Sequence, residues 1–521
     1  MSANGRRSLV CLVLLIAGYT ALVAAWTVGN PLGRAPDEPA HYLRALAAGT
    51  GHIHGEHIVA SPSSYPPMQR RWVEGITRNF SYPARLAIDQ TVPCPLGNPT
   101  VSAACQRTWP SPGAARQTSN VGAYQPYAYV PIGAAIRVGP TRWTAYLFGR
   151  AAVAASSLAL LTLAAFVLWQ SRSGRTGVLH PLAVVGLLVG VTPMAVFLAS
   201  TLNPSGLEVA AGVAFTVGVL SVLRDAEQGG PPRGAWLVFG LGGVALAATR
   251  SLGPYFVATV VVLGALLVGI RRALDAIRAA PRAAAVAGSC IAVAAVLNLW
   301  WEASNQPRLT WTSVLDHATL TRIPRFGEEL VGKFGWLEWH LPWPFYALWG
   351  LLVLALVVTA LAVGSWRQRG VLLALIAGCI ALAVAFNSVL PTQTGYDFQG
   401  RYLLALVVAI PLVAAEVIRR RHRFSGRVLA AGAAVGGVMV AVLQFVGWYL
   451  NAQRYAVGTS GPKWFAPHAQ WSPVGGWILW MCIALAGSLC LASSAVAAAV
   501  PTLVRRRRVG RGPAEAPAAR P

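Results

Sequence analysis

The chain has 521 residues, of which 55% are hydrophobic and only 11% are charged, and its formal net charge is +25. Soluble domains carry about 25% charged residues, so this composition is that of a membrane protein and excludes an ordinary soluble enzyme. The basic residues cluster in short loops between apolar stretches instead of forming one basic face. This distribution argues against nucleic acid as a partner and for the lipid bilayer.

Apolar stretches of helix length follow one another along the whole chain. Because about 20 apolar residues cross a bilayer, we predict about twelve transmembrane helices. We interpret the first stretch as a retained helix and not as a signal peptide, since no convincing cleavage site follows it. The predicted spans are 8–28, 143–169, 181–200, 205–223, 235–250, 252–270, 283–300, 344–364, 371–390, 403–418, 428–449 and 474–500.

The arginines divide the connections between these spans into two groups. With twelve spans, every short Arg-rich connection falls on the same side of the membrane. These connections include those with Arg172, Arg175 and Arg233, and the run from Arg505 to Arg508 lies on that side too. Basic loops stay in the cytoplasm, which predicts a multi-pass plasma-membrane protein with both termini cytoplasmic. The predicted organisation is a first helix and N-terminus at 1–29, an extracytoplasmic loop at 30–142, helices 2–7 at 143–300, a second loop at 301–343, helices 8–12 at 344–500 and a disordered basic tail at 501–521.

An acidic motif, APDEPAHYLRA, follows the first predicted helix. Asp37 and Glu38 are followed by Pro39, which suits a first helical turn, and His41 and Arg44 then lie three residues apart on one helix face. Asp37 could simply cap this helix. One capping residue does not explain a neighbouring Glu and a His at a membrane surface, so we interpret the group as functional.

Further polar residues lie at the predicted extracytoplasmic ends of other helices. Asn203 and Glu208 belong to TLNPSGLE, where Asn203 fits a plain hairpin turn and Glu208 falls one turn into an apolar helix. Arg250 is either a snorkelling arginine or a ligand for an anion. Asp397, Arg401 and Tyr402 lie in GYDFQGRY, where Asp397 and Arg401 could pair with each other, or Arg401 could hold a lipid-linked phosphate.

Two cysteines and a group of aromatic residues mark the first long loop. Cys94 and Cys105 would form a disulfide if the loop is extracytoplasmic, and two free thiols are the alternative. Tyr124 to Gly133 reads YQPYAYVPIG, which is also typical of an interfacial aromatic belt. Phosphate-binding loops, dinucleotide fingerprints, zinc-spaced ligand sets and nucleophile elbows are missing from the sequence, which makes a nucleotide-driven enzyme or pump a poor interpretation.

The motifs PDEPAHYLRA, NPSGLE and QGRYLLAL, in this order, resemble the bacterial membrane-protein family called domain of unknown function 2142. That family is grouped with the GT-C superfamily of glycosyltransferases, whose members place an acidic motif in the first extracytoplasmic loop. The resemblance implies an all-α, GT-C-like polytopic fold. It also implies transfer of a sugar from a polyprenyl-phosphate donor to a cell-envelope glycan or glycolipid.

Under this interpretation Asp37 or Glu38 is the general base, and Arg401, with Arg250 or His41, neutralises the departing lipid phosphate. No cofactor is required, although the acidic motif could hold a divalent cation. Two alternatives stay open at this point. A transporter or flippase of lipid-linked saccharides would place its charges near the middle of the membrane, and a non-catalytic scaffold of envelope assembly would not need the carboxylates.

Overall fold

A computed structural model describes residues 3–94, 97–170, 179–227, 234–310, 317–421 and 426–504. Part of the predicted charge pattern lies outside the described residues. It comprises Arg172, Arg175 and Arg233 and the basic tail from residue 505 onward, which the sequence predicts to be disordered. The helices in the described residues are α1 (Ala3–Gly29), α2 (Glu38–Gly49), α3 (Pro67–Ile76), α4 (Tyr129–Val138), α5 (Arg142–Gln170), α6 (Pro181–Gly190), α7 (Pro193–Ala199), α8 (Pro204–Glu227), α9 (Ala235–Thr249), α10 (Gly253–Val268), α11 (Ile270–Ala279), α12 (Pro281–Asn305), α13 (His317–Val331), α14 (Trp343–Val363), α15 (Trp366–Thr394), α16 (Leu404–Val407), α17 (Ala409–Arg421), α18 (Gly426–Val457) and α19 (Gly476–Val504).

Two small antiparallel sheets lie in the segments between the long helices. The strands are β1 (Glu56–His57), β2 (Arg78–Ser81), β3 (Arg116–Ser119), β4 (Lys333–Phe334) and β5 (Trp339–His340). The first sheet has the order β1-β2-β3 with Arg78 opposite Ser119, and the second pairs β4 with β5. The prediction of an all-α fold is therefore confirmed for the long apolar segments, and the strands lie in the connections between them. Strands of two to four residues are too short to give a periodic sequence signal.

The helices confirm a polytopic membrane protein, but not the count of twelve spans. Among the described residues, eight helices are long and apolar enough to cross a membrane, or up to ten if each of two bent pairs is one span. Helix α9 has only 15 residues, which at about 1.5 Å per residue is shorter than the hydrocarbon core. Helix α17 has 13 residues and ends in three arginines. These two segments account for the difference between prediction and structure.

Both bent pairs have a local cause. Helices α6 and α7 meet at 67° where Pro193, which has no amide hydrogen, starts α7. The carbonyl oxygen of Val191, at this break, accepts a hydrogen bond of 2.7 Å from Gln444 Nε2 on α18. Helices α10 and α11 meet at 106° at Gly269, whose φ of 99° is readily adopted only by glycine.

Helix α8 is the most enclosed of the eight long apolar helices among the described residues, with 94% of its apolar stretch buried inside the protein. The connecting segments 30–142, 301–343 and 458–475 pack together at one end of the bundle, which we call the loop face. Arg34 contacts Glu338 there at 3.2 Å, and Ser102 Oγ donates to Gln470 Oε1 at 2.7 Å, so the first segment is tied to each of the other two. Cys94 and Cys105 on this face are joined by a disulfide with an S–S distance of 2.03 Å.

Candidate active site

The loop face holds a strained residue at the start of α2. Asp37 immediately precedes this helix and has φ 57° and ψ 14°, a left-handed conformation that is costly for a residue with a side chain, although Asp and Asn tolerate it best. Asp37 occupies the N-cap position that the sequence indicates, but its side chain makes no capping hydrogen bond within the described part of the chain, so capping does not explain the carboxylate. Backbone strain of this kind is often found at functional sites.

The carboxylate of Asp37 instead contacts Arg401. Its Oδ2 lies 3.1 Å from Arg401 Nη2, and the Asp37 side chain is 30% exposed while that of Arg401 is 1% exposed. Arg401 Nε donates to Gln399 Oε1 at 2.6 Å, and Nη2 is 3.3 Å from the Tyr402 hydroxyl. Arg401 Nη1 is buried and has no hydrogen-bond partner among the described residues. The pair therefore combines an accessible carboxylate with an unused guanidinium donor.

A second arginine, Arg250, lies next to this pair. Its guanidinium stacks over the rings of Tyr402 and Tyr124, at 5.0 and 5.5 Å from their centroids, and donates to Ser205 Oγ at 2.9 Å. Glu208 Oε2 is 3.8 Å from Arg250 Nε, beyond hydrogen-bond distance. Because Arg250 points among these side chains, the snorkelling interpretation does not describe it. Burial, although the nearby Arg250 opposes it, raises the pKa of Tyr124 to about 12.

Glu38, adjacent to Asp37 in sequence, has a different environment. Its side chain is 0% exposed and forms a bidentate ion pair with Arg150, with distances of 2.7 Å from Nε and 2.8 Å from Nη2. Glu38 Oε1 also accepts the backbone N–H of Leu202 at 2.9 Å. The remaining Arg150 donors bind carbonyl oxygens of Thr27, Asn30 and Pro31. Sequence reasoning missed Arg150, although an arginine inside an apolar span was an available signal.

The two basic residues of the acidic motif contact the first residue of α4 and the segment before it. His41 Nδ1 is 2.7 Å from the hydroxyl of Tyr129, and Arg44 Nη2 donates to the Tyr124 carbonyl at 2.8 Å. Both side chains are buried, and Tyr129 is fully buried, so Tyr129 is not part of an interfacial belt. Burial, reinforced by the positive charges of Arg250 and Arg401, holds the pKa of His41 well below its usual value.

The other predicted residues take separate places. Asn203 Nδ2 donates to the Pro36 carbonyl at 3.1 Å, so this turn residue fixes the segment that carries Asp37. Asp397 pairs with Arg322 at 2.9 Å, so the alternative in which Asp397 pairs with Arg401 does not describe the structure. Glu329, which the sequence did not single out, accepts the Gly400 N–H at 2.7 Å and holds the turn before Arg401.

The cluster is suited to an anion more than to a metal. Within the described residues, no group of three or more His, Cys, Asp and Glu side chains could hold a metal ion. The Arg401 guanidinium already faces Asp37 and would repel a divalent cation there. An accessible carboxylate can accept a proton, and two adjacent guanidinium groups can hold phosphate oxygens.

Fold and site together define a multi-pass helical membrane protein with a carboxylate–arginine cluster at one end of its bundle. The chain belongs to the family described as predicted membrane protein (DUF2142), whose model matches residues 21–410. No curated protein matches the chain. Two solved structures are similar to it, both of ArnT from Cupriavidus metallidurans. The form bound to undecaprenyl phosphate has a TM-score of 0.42 and 13% sequence identity, and the match covers 97% of this chain and 79% of ArnT. The apo form has a TM-score of 0.36 and 15% sequence identity, and the match covers 73% of this chain and 67% of ArnT.

Proposed function

We propose that this protein is a membrane glycosyltransferase that moves a sugar from a polyprenyl-phosphate donor to a glycan or glycolipid of the cell envelope, on the outer face of the plasma membrane. The observation that carries the proposal is the Asp37 carboxylate, which is partly exposed and directly beside the buried Arg401. A carboxylate and a guanidinium at one spot supply the two functions that sugar transfer from a lipid phosphate needs.

Asp37 is the general base in this proposal. Its carboxylate takes the proton of the acceptor hydroxyl while the hydroxyl oxygen attacks the anomeric carbon of the donor sugar. The bond between that carbon and the phosphate oxygen breaks, and the lipid phosphate leaves with the electron pair. Glu38 is unsuited to this work, because Arg150 and the Leu202 N–H occupy both of its oxygens.

Arg401 and Arg250 hold the departing phosphate. The unused Nη1 of Arg401 is a donor for a phosphate oxygen, and the planar guanidinium suits two-point binding. Arg250 is held nearby by Ser205 and Tyr402. Negative charge that develops on the phosphate as the bond breaks would be stabilised by both groups. The positions of these charges at one end of the bundle favour an enzyme over a transporter, whose charges would line a path across the membrane.

The test is a transfer assay on membranes supplied with a radiolabelled polyprenyl-phosphate sugar and crude envelope acceptor. Asp37→Asn should lower turnover about 10²–10⁴-fold, the usual contribution of a general base, while protein yield stays unchanged. Asp89→Asn is the matched control, because Asp89 lies on the same loop face and its carboxylate, among the described residues, accepts only the Thr91 N–H. If Asp37→Asn transfers sugar as fast as Asp89→Asn, the enzyme proposal is lost and a transporter or scaffold takes its place.

A further inference from the structure

A separate cavity of about 400 Å³ opens on the loop face, within the usual range of small-molecule sites. The C-terminal end of α1 and the start of α5 line one part of the cavity. The segment before α19 lines another part. Its lining combines three indole rings with amide and guanidinium groups, namely Trp109, Trp143, Trp471, Gln106, Arg107 and Gln470. Asp37, Arg250 and Arg401 do not line it, so it is distinct from the proposed transfer site.

Gln106 brings a buried acceptor without a partner among the described residues to the lining of the cavity. Its side chain is 4% exposed, and its Nε2 donates to the Leu32 carbonyl. Its Oε1 is buried and has no partner in the portion of the chain that the structure describes. A buried acceptor left unpaired is unfavourable by about 1–3 kcal/mol. A ligand with hydroxyl groups in this cavity would donate to it and remove that cost.

The aromatic walls indicate which hydroxyl-bearing ligand fits. Trp109 is almost fully buried, with its Nε1 fixed by the Asp89 carbonyl at 3.1 Å, so its ring is a rigid surface. Trp143 is 42% exposed at the start of α5. A pyranose ring has C–H groups on its faces and hydroxyls around its edge, so it can pack on indoles while bonding to amides. Arg107 Nη2 is held by the Gln470 carbonyl at 2.6 Å and keeps donors at the rim.

The position of the cavity indicates that the sugar is attached to a lipid. Thr27 and Val28 of α1, Trp143 and Leu147 of α5, and Val474 before α19 lie at the ends of three candidate membrane spans. A ligand seated there has its polar part in the loop face and its apolar part beside the bilayer. We propose that this cavity binds the saccharide headgroup of a glycolipid, and this site stands whether or not the chain transfers sugar.

Photolabelling of the full chain in nanodiscs free of glycolipid tests the site. The probes are alkyl β-glycosides with a diazirine beside the sugar, carrying glucose, galactose, mannose or N-acetylglucosamine. At least one should label segments 106–109, 143–147 or 469–474, as mapped by mass spectrometry. Octyl glycoside of the same sugar, below its micellar concentration, should reduce labelling at least tenfold, while octanol should not. Competition by the free sugar alone would also support the site and would identify a soluble saccharide as its source.

Two rim variants separate this cavity from the rest of the surface. Ser472→Trp places an indole at the exposed rim and should abolish labelling, whereas Ser460→Trp, on the same connection but outside the lining, should not. Asp37→Asn should label like the wild type, which distinguishes failure here from failure of the transfer reaction. Labelling that octanol competes equally, labelling that survives Ser472→Trp, or failure of all four sugars to label would each overturn the proposal.

Discussion

Asp37 and Glu38 are neighbours in sequence, yet their ion pairs with arginine differ in almost every respect. Glu38 is sealed from solvent, binds Arg150 through both oxygens and receives a backbone N–H as well. Asp37 is partly exposed, meets Arg401 through one contact and sits on a left-handed backbone. The first pair is closed and complete, whereas the second has unused capacity on both partners.

This difference indicates how one acidic motif performs two tasks. The closed pair joins α2 to α5 and to the end of α1, because Arg150 also binds the carbonyl oxygens of Asn30 and Pro31. It therefore fixes the backbone from which Asp37 projects. The open pair is left free to contact a substrate. Two adjacent carboxylates thus serve a structural and a chemical role, and three predictions test that division.

The largest expected effect is on folding and comes from the closed pair. Glu38→Gln leaves Arg150 buried without a counter-ion, which should lower the free energy of unfolding by about 3–5 kcal/mol. Asp37→Asn should lower it by less than Glu38→Gln does, because Asp37 is 30% exposed, Arg401 keeps its hydrogen bonds to Gln399 and Tyr402, and Asn tolerates the left-handed backbone. Thermal unfolding of the detergent-solubilised variants, followed by tryptophan fluorescence, measures both.

The double variant Glu38→Gln, Arg150→Gln is the control for this comparison. It removes both charges and should recover part of the stability lost in Glu38→Gln. Equal stability of Glu38→Gln and the wild type would contradict a structural role for the closed pair.

The next effect is on donor use and comes from the open pair. Arg401→Lys keeps the charge but loses the planar fork and the free Nη1 donor. Loss of one charged hydrogen bond, worth about 1.5–3 kcal/mol, should raise the KM for the lipid-linked donor about 10–100-fold. Arg322→Lys is the control, since Arg322 pairs with Asp397 on the same face. Donor kinetics in the transfer assay decide it, and equal KM values for the two variants would move the phosphate site away from Arg401.

The smallest effect is a pH dependence that reports the positive charge around the open pair. The pKa of His41 is lowered by burial and by Arg250 and Arg401, so below about pH 6.5 the unfolded chain binds a proton that the folded chain does not. Stability should therefore fall as pH falls, by about 1 kcal/mol between pH 6.5 and 5.5. His41→Gln should flatten the melting temperature in this range, and Arg401→Gln should weaken its slope. An unchanged slope in His41→Gln would assign the dependence to other groups.

The sequence predicted helices well because long apolar runs bounded by Pro and Gly admit few other structures. The predicted span 143–169, for example, corresponds to Arg142–Gln170, and 344–364 to Trp343–Val363. The sequence did not predict contacts between residues that are far apart along the chain. Arg401 meets Asp37 across 364 positions of sequence, whereas the local spacing had suggested Asp397. Spacing rules describe contacts within one helix, and this site is assembled from five separate segments, around Asp37, Tyr124, Ser205, Arg250 and Arg401.

Glu38 illustrates a second limit of sequence reasoning. The residues of the motif alone do not decide which carboxylate acts as the base, since the difference between them depends on Arg150, one of the few charges in an apolar span. Only the tertiary fold brings Glu38 and Arg150, 112 positions apart in sequence, together. The side chain of Asn203 was similarly interpreted as a turn residue, and its bond to the Pro36 carbonyl depends on the tertiary fold.

The break between α6 and α7 has a consequence for how the chain is assembled during synthesis. The Val191 carbonyl is freed by the break and satisfied by Gln444, which lies 253 residues later in sequence. An exposed carbonyl is strongly disfavoured in hydrocarbon, so α6 and α7 cannot settle against lipid as a finished unit. The Val191 carbonyl gains this partner only after α18 has left the ribosome and entered the membrane. We infer that the break between α6 and α7 is completed late in synthesis, by a helix from the far end of the chain.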